Sequence, residues 1–547
     1  MPETTGPTTG PPPLNTRRWI LLGGAATLLA GCAQAKPSSA TLLRQMQGQS
    51  GQSTVPTPTG GNGVVDVRSF GAAGDGAHDD GPAIQRALDA AGPHRQTVLL
   101  PGGTYLVGET LKIPEGVSVS GYGATITATG AIAVLTVAGP SASVRGLTIQ
   151  GQRTPGQTAI AVAQPEFHAE DISISLVDTG IAVGGGFFTY WERLTFRNIR
   201  SVAIDLSGGN DHYFNFITHD TDVAAYKAAH SYPEPTVAGV NITGAQAVVM
   251  SNADFVHAGT GMQIAPDGQQ LSWSHLFSNI FLDTCGTDGL VISPTTSSGV
   301  RVQDVLFSNC WFSTSGGRGV AIEGSTVHGV MFTGCNAHNN AADGFSVSGA
   351  GHIRFVGCTA VGNNRGNTGA SGFSIAGYEI LVQGCYAGMW GIWTSRQQYN
   401  VDISAVAANV SVQGGSVDQS QFGASPVRVA LTASGVTVAG VQGYNPVGPL
   451  TPPAIPLASG QEYRNTSGSA LTLYQPVYAS GSGTQSGGRV DVYLGSASSL
   501  QRVFSQRIDA HTGPGSPEVV TLRIAPDSRY RLDVTGATLL PAQMMGD

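Results

Sequence analysis

Three stretches of the chain share one pattern, and that pattern decides the fold. They are "HLFSNIFLDTCGTDGLVI" (275–292), "VLFSNCWFSTSGGRGVAI" (305–322) and "VMFTGCNAHNNAADGFSV" (330–347). The three segments align without a gap, and within each one apolar and polar residues alternate. Ile280, Cys310 and Cys335 fall in one column of this alignment, which "FVGC" (355–358) and "VQGC" (382–385) continue. Short strands therefore recur about every 25 residues, the spacing of a solenoid.

The segments between these strands show no ten-residue helical pattern, so the repeats are not βαβ units. We predict an all-β fold, a right-handed parallel β-helix in which equivalent side chains stack about 4.8 Å apart. Cys310, Cys335, Cys358 and Cys385 then form an inward ladder, and Cys285 lies off it. The ladder is either a row of packed free thiols or a set of disulfides between adjacent coils.

Composition narrows the functional classes. The chain has 547 residues, of which only 11% are charged, with 76 glycines and a formal net charge of −8. A surface of neutral polar side chains suits a large β-structure. The few Lys and Arg residues are scattered, so the basic face that nucleic-acid binding requires is absent from the sequence.

The N-terminal segment has the pattern of an export signal. "TRRWILLGGAATLLAGC" (16–32) has the pair Arg17–Arg18 before an apolar run that is too short to span a bilayer. Its end, "LAGC", resembles the lipobox of bacterial lipoproteins. That resemblance implies twin-arginine export, lipidation of Cys32 and an outer-membrane anchor, since Ala33 rather than Asp follows. An ordinary signal peptide with a chance cysteine is the alternative.

The segment "SFGAAGDGAHDDGPAIQRALDAAG" (69–92) contains a Gly-Asp-Gly turn, the pair Asp79–Asp80 and a short helix. With "TVLLPGGTYLVG" (97–108) it resembles the pectate lyase-like superfamily, in the branch of rhamnogalacturonase-type enzymes and phage tailspikes. The resemblance is close over residues 64–126 and extends to about 445 in pattern only. It implies a polysaccharide as ligand and allows a homotrimer.

The residues themselves assign this segment a structural role. Ile84, Leu88 and Ala91 lie on one helical stripe that can cover the open end of a solenoid. Asp80 precedes the helix as a candidate N-cap, and Gly92-Pro93 ends it. We expect the aspartates to cap and turn the chain rather than to catalyse.

Candidate catalytic residues come from positions that alternation turns outward. In the strands "VAIDL", "GMQI", "GVAIE", "GFSI" and "GIWT", the outward residues include Asp205, Ala321, Glu323 and Trp393. Asp205 and Glu323 are candidate catalytic carboxylates in a column that is otherwise neutral, and Trp393 is a candidate sugar-binding residue.

A second column contains Asp288, Arg318 and Asp343. Stacking places the arginine between two carboxylates about 9.6 Å apart, near the upper end for inverting glycoside hydrolysis. An arginine beside a carboxylate could instead assist proton abstraction next to a uronate, as in the lyases of the superfamily. The alternative is a neutralising Asp-Arg-Asp ladder around common Asp-Gly turns.

A third column contains Asp283, Ser313 and His338, with Trp311 beside it. Asp283 is a candidate acid or base, while His338 and Trp311 are candidate sugar-binding residues. Cysteine and histidine spacing gives no metal site, and we expect no cofactor. Asp220 and Asp222, in an insertion after Leu206, allow a weak Ca²⁺ site.

The predicted organisation is a signal peptide (1–32), a flexible tether (33–62), a β-helix (63–445), a Pro-rich linker (446–460) and a small antiparallel β-sandwich (461–547). The sandwich resembles modules of tailspike-like proteins that bind sugar or promote oligomerisation. The Asn-Thr-Asp, Gly-His-Gly and Arg-Ile-Lys blocks of polygalacturonases are missing from the β-helix. Two hypotheses follow: a lipid-anchored polysaccharide lyase or glycoside hydrolase, and a non-catalytic polysaccharide-binding scaffold or tailspike-like adhesin, either one facing the periplasm or the cell surface.

Overall fold

The computed structural model describes residues 63–546 except 222–237, 268–270, 295–299, 394, 419–425, 445–456, 467–470, 481–486, 497–498, 509–516 and 526. The predictions for the signal peptide, Cys32, the tether and Asp222 lie outside the described residues.

The predicted right-handed parallel β-helix is confirmed, with about 13 coils. Its described strands form one continuous parallel sheet in which each coil pairs with the next. The strands are Val64–Asp66, Asp75–Asp79, Thr97–Leu99, Gly103–Val107, Leu111–Ile113, Ser118–Ala128, Ala133–Val137, Ser143–Gln150, Thr158–Val162, His168–Ser175, Thr179–Arg197, Val202–Asp220, Ala238–Ile242, Gln246–Val256, Thr260–Ile264, Leu271–Asp283, Leu290–Ile292, Arg301–Ser308, Trp311–Ser313, Val320–Glu323, Val327–Thr333, Asn336–His338, Phe345–Gly351, Arg354–Val356, Thr359–Val361, Phe373–Gln383, Tyr386–Gly388, Val401–Ile403, Ala408–Gln413, Ser416–Val417, Val427–Val429 and Thr437–Ala439.

Each coil crosses three faces, which we call A, B and C in chain order. Face A carries the outward column Ser143, His168, Tyr190, Tyr213, Val249, Leu276, Leu306 and Met331. Face B carries the outward column Thr104, Thr125, Thr148, Ser173, Thr195, Thr218, Asp254, Phe281, Trp311, Asn336, Thr359 and Tyr386. Face C carries the outward column Ala182, Asp205, Asn241, Gln263, Val291, Ala321, Ser346, Ser374, Asp402 and Arg428.

The corner between faces A and B explains the "SNC", "TGC" and "VGC" repeats. One residue in the left-handed conformation turns the chain there, with φ of 53° at Asn309 and 61° at both Gly334 and Gly357. Asn and Gly tolerate this conformation best. The next residue is then directed into the core, which places the cysteines in the predicted inward ladder. All four ladder cysteines are buried and free, so the packed-thiol alternative is the one the structure adopts.

Aromatic rings fill the middle of the core. Phe277, Phe307, Phe332 and Phe355 stack face to face in successive coils, with centroid separations of 4.8, 5.0 and 5.3 Å. Identical side chains at one register position therefore pack on one another along the axis, which sets a uniform coil spacing for the surface above them.

The helix predicted at the N-terminal end spans Gly81–Ala91, and its buried residues include Ile84, Leu88 and Ala91. The neighbouring 3₁₀ turns are Val67–Phe70 and Gly92–His94. Asp80 stands at the N-cap position but makes no side-chain capping bond. Its carboxylate instead accepts hydrogen bonds from the backbone N–H groups of Ala73 and Gly74, at 2.6 and 3.0 Å, and fastens the preceding turn. The aspartates here are thus structural, as expected, although the bonds of Asp80 differ from those of an N-cap.

The C-terminal part is an antiparallel β-sandwich of two sheets around one core. Its strands are Glu462–Arg464, Leu471–Ala479, Gly488–Ser496, Ser499–Ile508, Glu518–Ile524, Arg529–Thr535, Ala537–Leu539 and Gln543–Gly546. The sandwich contacts the end of the β-helix, where the Arg464 guanidinium donates to the carbonyl oxygens of Ala430 and Ala433. Asp527 pairs with this buried arginine.

Candidate functional site on face B

The outward column of face B changes character in the middle of the β-helix. From Thr104 to Thr218 this column holds only Thr and Ser. The next coils place Asp254, Phe281 and Trp311 in it. A ladder of small hydroxyl side chains is thus replaced by a carboxylate and two large rings, and Phe281 is 47% exposed.

Three carboxylates meet at this point. Asp220 and Asp283 lie in the second outward column of face B with Val256 between them. Asp254 lies on the strand of Val256, two residues away, so its backbone is about 8 Å from that of Asp283 on the same face. His257 Nδ1 lies 2.9 Å from Asp220 Oδ1. The Ser313 hydroxyl donates to Asp283 Oδ1 at 2.7 Å, which fixes that carboxylate.

Asp254 is the carboxylate whose titration is perturbed. Partial loss of solvent raises the pKa of Asp254, and the negative charges of Asp283 and Asp220 raise it further. Among the described residues, none donates a hydrogen bond to the Asp254 side chain. Two neighbouring carboxylates in different environments are the arrangement that separates a general acid from a general base.

Aromatic side chains cover the next coils of the same face. Trp311 meets the His338 ring edge-on at 4.6 Å, and Trp390 and Trp393 lie 6.0 and 6.2 Å from it. Tyr386 stacks on Trp390 at 4.8 Å. Trp311, His338 and Trp393, the three predicted sugar-binding residues, are therefore in one cluster; their role in binding stays a prediction.

His338 is buried beneath these rings rather than exposed to solvent. Its Nε2 lies 3.1 Å from Thr359 Oγ1, and its Nδ1 has no hydrogen-bond partner among the described residues. Burial lowers the pKa of His338 to about 4. The imidazole is therefore neutral at neutral pH and supports the tryptophans instead of donating a proton.

The Asp288, Arg318 and Asp343 column stacks as predicted, at the corner between faces B and C, but its ion pairs differ. Arg318 pairs with Asp288 at 2.8 Å and with Glu323 at 2.6 Å, not in an Asp-Arg-Asp stack. Asp288 Oδ1 also accepts the Arg318 backbone N–H at 2.5 Å, and Asp343 Oδ1 accepts that of Ser371 at 2.6 Å. Burial raises the pKa of Asp343. The carboxylates of Asp288 and Asp343 are thus engaged in hydrogen bonds that stabilise the corner, which favours the structural interpretation of the column.

Asp205 lies on face C, away from this cluster. Burial raises its pKa, and the Asn241 amide donates to its Oδ1 at 2.8 Å. Asn241 is the neighbour of Asp205 in the outward column, so the pair is a side-chain bond between adjacent coils. Asp205 therefore has no second carboxylate beside it in this column.

One outward assignment was wrong, and another outward residue is not exposed to solvent. "GIWT" is not a face C strand: Phe373–Gln383 pairs there with Val401–Ile403, so Asp402 rather than Trp393 is outward. Trp393 lies instead in the long corner between faces B and C, where its backbone N–H donates to the Trp390 carbonyl at 3.0 Å. Ala321 points outward but is fully buried.

The sequence analysis missed Asp254, Phe281 and Trp390. A signal for Asp254 was present, since "MSNA" (250–253) is a faint copy of the corner pattern and the residue at 254 must then face outward. Trp390 had no such signal, because it lies in a corner segment that is longer than its counterparts.

The described residues contain no group of three or more His, Cys, Asp or Glu placed to hold a metal ion. In the same part of the chain, no helix has the length and apolar character needed to cross a membrane.

The described strands between residues 64 and 439 form a right-handed parallel β-helix. Residues 64–291 match the family described as rhamnogalacturonase A/epimerase, pectate lyase-like, and residues 238–404 match the right-handed β-helix region. The first match confirms the pectate lyase-like resemblance predicted from residues 64–126, and the second confirms a right-handed β-helix as far as residue 404.

Curated relatives match over short stretches. The non-secreted LysM effector LysM19 of Penicillium expansum is 42% identical over 73 residues, 13% of this chain and 6% of that protein. Mannuronan C5-epimerase AlgE3 of Azotobacter vinelandii is 46% identical over 69 residues, 11% of this chain and 4% of that protein. The chain thus spans only a small part of these relatives.

Solved structures match over longer stretches at low identity. The A-module of mannuronan C-5 epimerase AlgE6 of Azotobacter vinelandii is 16% identical, with 70% of this chain and 99% of that chain covered and a TM-score of 0.44. A tailspike protein of E. coli bacteriophage HK620 is 10% identical, with 88% and 93% covered and a TM-score of 0.47.

Proposed function

We propose that this chain binds a neutral polysaccharide along face B and hydrolyses it, with Asp254 as general acid and Asp283 as general base. The observation that carries the proposal is the replacement of the Thr/Ser ladder by a carboxylate pair and an adjoining row of aromatic rings. A regular solenoid needs neither feature at its surface, and together they supply an acid, a base and a binding surface for a polymer.

The carboxylate geometry supports hydrolysis. Parallel side chains from backbone positions about 8 Å apart, on adjacent strands, leave room for a water molecule between acid and base, the inverting arrangement. Asp254, with its raised pKa, donates a proton to the leaving oxygen. Asp283, oriented by the Ser313 hydroxyl, accepts a proton from the attacking water.

The charges on this face support a neutral substrate. From the coil of Thr104 to that of Tyr386, the two described outward columns of face B hold three carboxylates and a single cation, Arg197, which is the neighbour of Asp220 in its column. A uronate polymer would meet net negative charge at the reacting bond. Elimination beside a uronate would also need cations to stabilise the developing charge.

The family match supports a polysaccharide ligand, since its description names a rhamnogalacturonase and an epimerase. Export through the twin-arginine route and a lipid anchor at Cys32 complete the proposal and place the enzyme where extracellular polymers are found.

The test uses the full chain with Cys32→Ser, incubated with neutral and uronate polysaccharides. New reducing ends from a neutral polymer, without the ultraviolet absorbance of an unsaturated uronate, are the expected result. Asp254→Asn should then lower the rate by about 10²–10⁴-fold. The matched control is Asp304→Asn, an exposed carboxylate at a left-handed corner that Asn also tolerates. Unsaturated product from a uronate would refute hydrolysis, and binding without any cleavage would identify a scaffold.

A further inference from the structure

A pocket on face A lies apart from the proposed catalytic face. It has a volume of about 600 Å³, within the range of ligand sites. The residues that give it chemistry are Ser141, Ser143, Glu166, His168, Phe188 and Tyr190, from three successive coils. The face B cluster lies on a different face and in later coils.

Phe188 is the unusual residue of this pocket. Ser141, Glu166 and Phe188 occupy the left-handed corner between faces C and A, with φ of 58°, 59° and 54°. In later coils the same left-handed corner holds Asp211, Ala247, Ser274, Asp304, Gly329, His352, Glu379, Asn409 and Gly435. Phe188 is therefore a large apolar residue at a corner that the later coils fill with small, polar or charged residues. It is also 42% exposed. A large apolar side chain left half exposed at such a corner indicates a contact outside the folded core.

Phe188 has an exposed aromatic neighbour. Phe187 is 43% exposed, and its ring meets that of Phe188 edge-on at 5.4 Å. Phe188 lines the pocket and Phe187 packs against Phe188, so the pocket has an apolar edge beside its polar groups. Such an edge suits the apolar face of a sugar ring, while the polar groups meet its hydroxyl groups.

The polar groups of the pocket are held in place. The Ser141 hydroxyl donates to Glu166 at 2.6 Å. The His168 ring packs on Tyr190 at 4.5 Å, and Tyr190 stacks on Tyr213 at 5.0 Å. Burial lowers the pKa of His168, so the neutral imidazole offers one donor and one acceptor. Rigid groups with free hydrogen-bonding capacity are the usual floor of a specific pocket.

The charge of the lining selects the ligand class. Its one charged side chain at neutral pH is the Glu166 carboxylate, and no Lys or Arg lines the pocket. An anionic sugar would be repelled there. Hydroxyl groups of an uncharged sugar can donate to Glu166 and exchange hydrogen bonds with Ser143 and His168.

We propose that this pocket is a second carbohydrate site, which binds one or two units of an uncharged saccharide independently of the face B site. It gives the protein a point of attachment to a polymer that does not lie across the catalytic carboxylates.

The test measures binding to the full chain with Cys32→Ser, Asp254→Asn and Asp283→Asn, which removes the proposed acid and base. Calorimetry with hexasaccharides of glucose, mannose and N-acetylglucosamine, and with oligogalacturonate, gives affinity and stoichiometry. We expect two sites for a neutral hexasaccharide and none for oligogalacturonate. Adding Phe188→Gly should weaken one of them by at least about tenfold, with the melting temperature unchanged or raised because glycine relieves the corner.

Two further variants separate this proposal from the proposed function. His352→Gly also introduces a glycine at the left-handed corner between faces C and A, but in a later coil, and should leave both sites intact. Trp390→Ala should weaken only the face B site. If Trp390→Ala removes all binding, or Phe188→Gly changes nothing, the second site is refuted. If Phe188→Gly removes all binding, the face B site is refuted instead. Absence of any neutral saccharide binding refutes both.

Discussion

The stability of this β-helix should fall on mild acidification, and His275 allows the effect to be measured at one residue. His275 is fully buried in the core. Its Nδ1 accepts the Val248 backbone N–H at 3.2 Å, so its Nε2 carries the proton and donates to Ser272 at 2.7 Å. A second proton on Nδ1 would face an N–H donor in a site without water. Burial accordingly lowers the pKa of His275 to about 3.

The direction of this pH effect follows from the pKa of His275 in the unfolded and the folded chain. In the unfolded chain a histidine titrates near 6.5, whereas in the folded chain His275 stays neutral to about 3. Protons are therefore taken up on unfolding below pH about 6.5, and the stabilisation present above that pH is lost as the pH falls towards 3. At 1.36 kcal/mol per unit, acidification to about pH 5 costs about 2 kcal/mol through this one residue.

The next coil of the protein shows which residues can replace His275 and Ser272. The coil after His275 and Ser272 has Val305 and Val302 at the paired positions. We expect the double variant Ser272→Val, His275→Val to lose about 1–3 kcal/mol at neutral pH, because the Val248 N–H loses its acceptor. The difference in its free energy of unfolding between about pH 7.5 and pH 5 should be smaller than that of the wild type by about 2 kcal/mol.

Urea unfolding followed by tryptophan fluorescence at both pH values measures this difference. His94→Gln, an exposed histidine in the 3₁₀ turn after the helix, is the control and should unfold with the pH dependence of the wild type. An unchanged pH dependence in the double variant would show that His275 is not held neutral in the fold.

Three more predictions concern the core and the aromatic cluster. Cys358 and the other ladder thiols should react with a thiol reagent only after urea unfolding, and rapid labelling of the native protein would contradict the buried ladder. Cys358→Ala should lower the free energy of unfolding by about 1–3 kcal/mol. Asn363→Leu should lower the free energy of unfolding, measured by urea unfolding, by at least about 2 kcal/mol. The reason is that the Asn363 side-chain amide accepts from Asn340 at 2.9 Å and donates to the Ala337 carbonyl at 2.8 Å. An unchanged free energy of unfolding would mean that water takes over these hydrogen bonds in the variant. Trp390→Ala should weaken neutral-polymer binding in affinity electrophoresis. The control is Trp273→Ala, a half-exposed tryptophan just before the corner between faces C and A. Equal effects of the two variants would remove the case for face B.

The fold could be predicted because the coil has a local signature. Each corner between faces A and B needs one left-handed residue, so Asn or Gly recurs before an inward Cys or Ile and fixes the register of both neighbouring strands. Two predicted columns follow from that register and are confirmed as columns. One contains Asp283, Ser313 and His338, and the other contains Asp288, Arg318 and Asp343.

The candidate site could be predicted only in part. Corners between faces B and C vary in length, so the likeness of "GIWT" to the strands of face C placed Trp393 on the wrong face. The partners of Arg318 depend on side-chain reach across the corner, which the register does not specify. The face A pocket has no repeat signature, because Ser141, Glu166 and Phe188 share a conformation and not a residue type.

The contact of Arg464 with the last coil has a consequence for assembly. Any solenoid ends in a strand edge with unpaired carbonyl groups, onto which another chain can add. Here Arg464 binds the carbonyls of Ala430 and Ala433, and Arg529 binds that of Leu431. These bonds anchor the sandwich at the turn between Val427–Val429 and Thr437–Ala439, beside the strand edge of the last coil, where it hinders the addition of another chain. A shortened chain without residues 461–546 would present that edge to solvent and become a seed for end-to-end fibres.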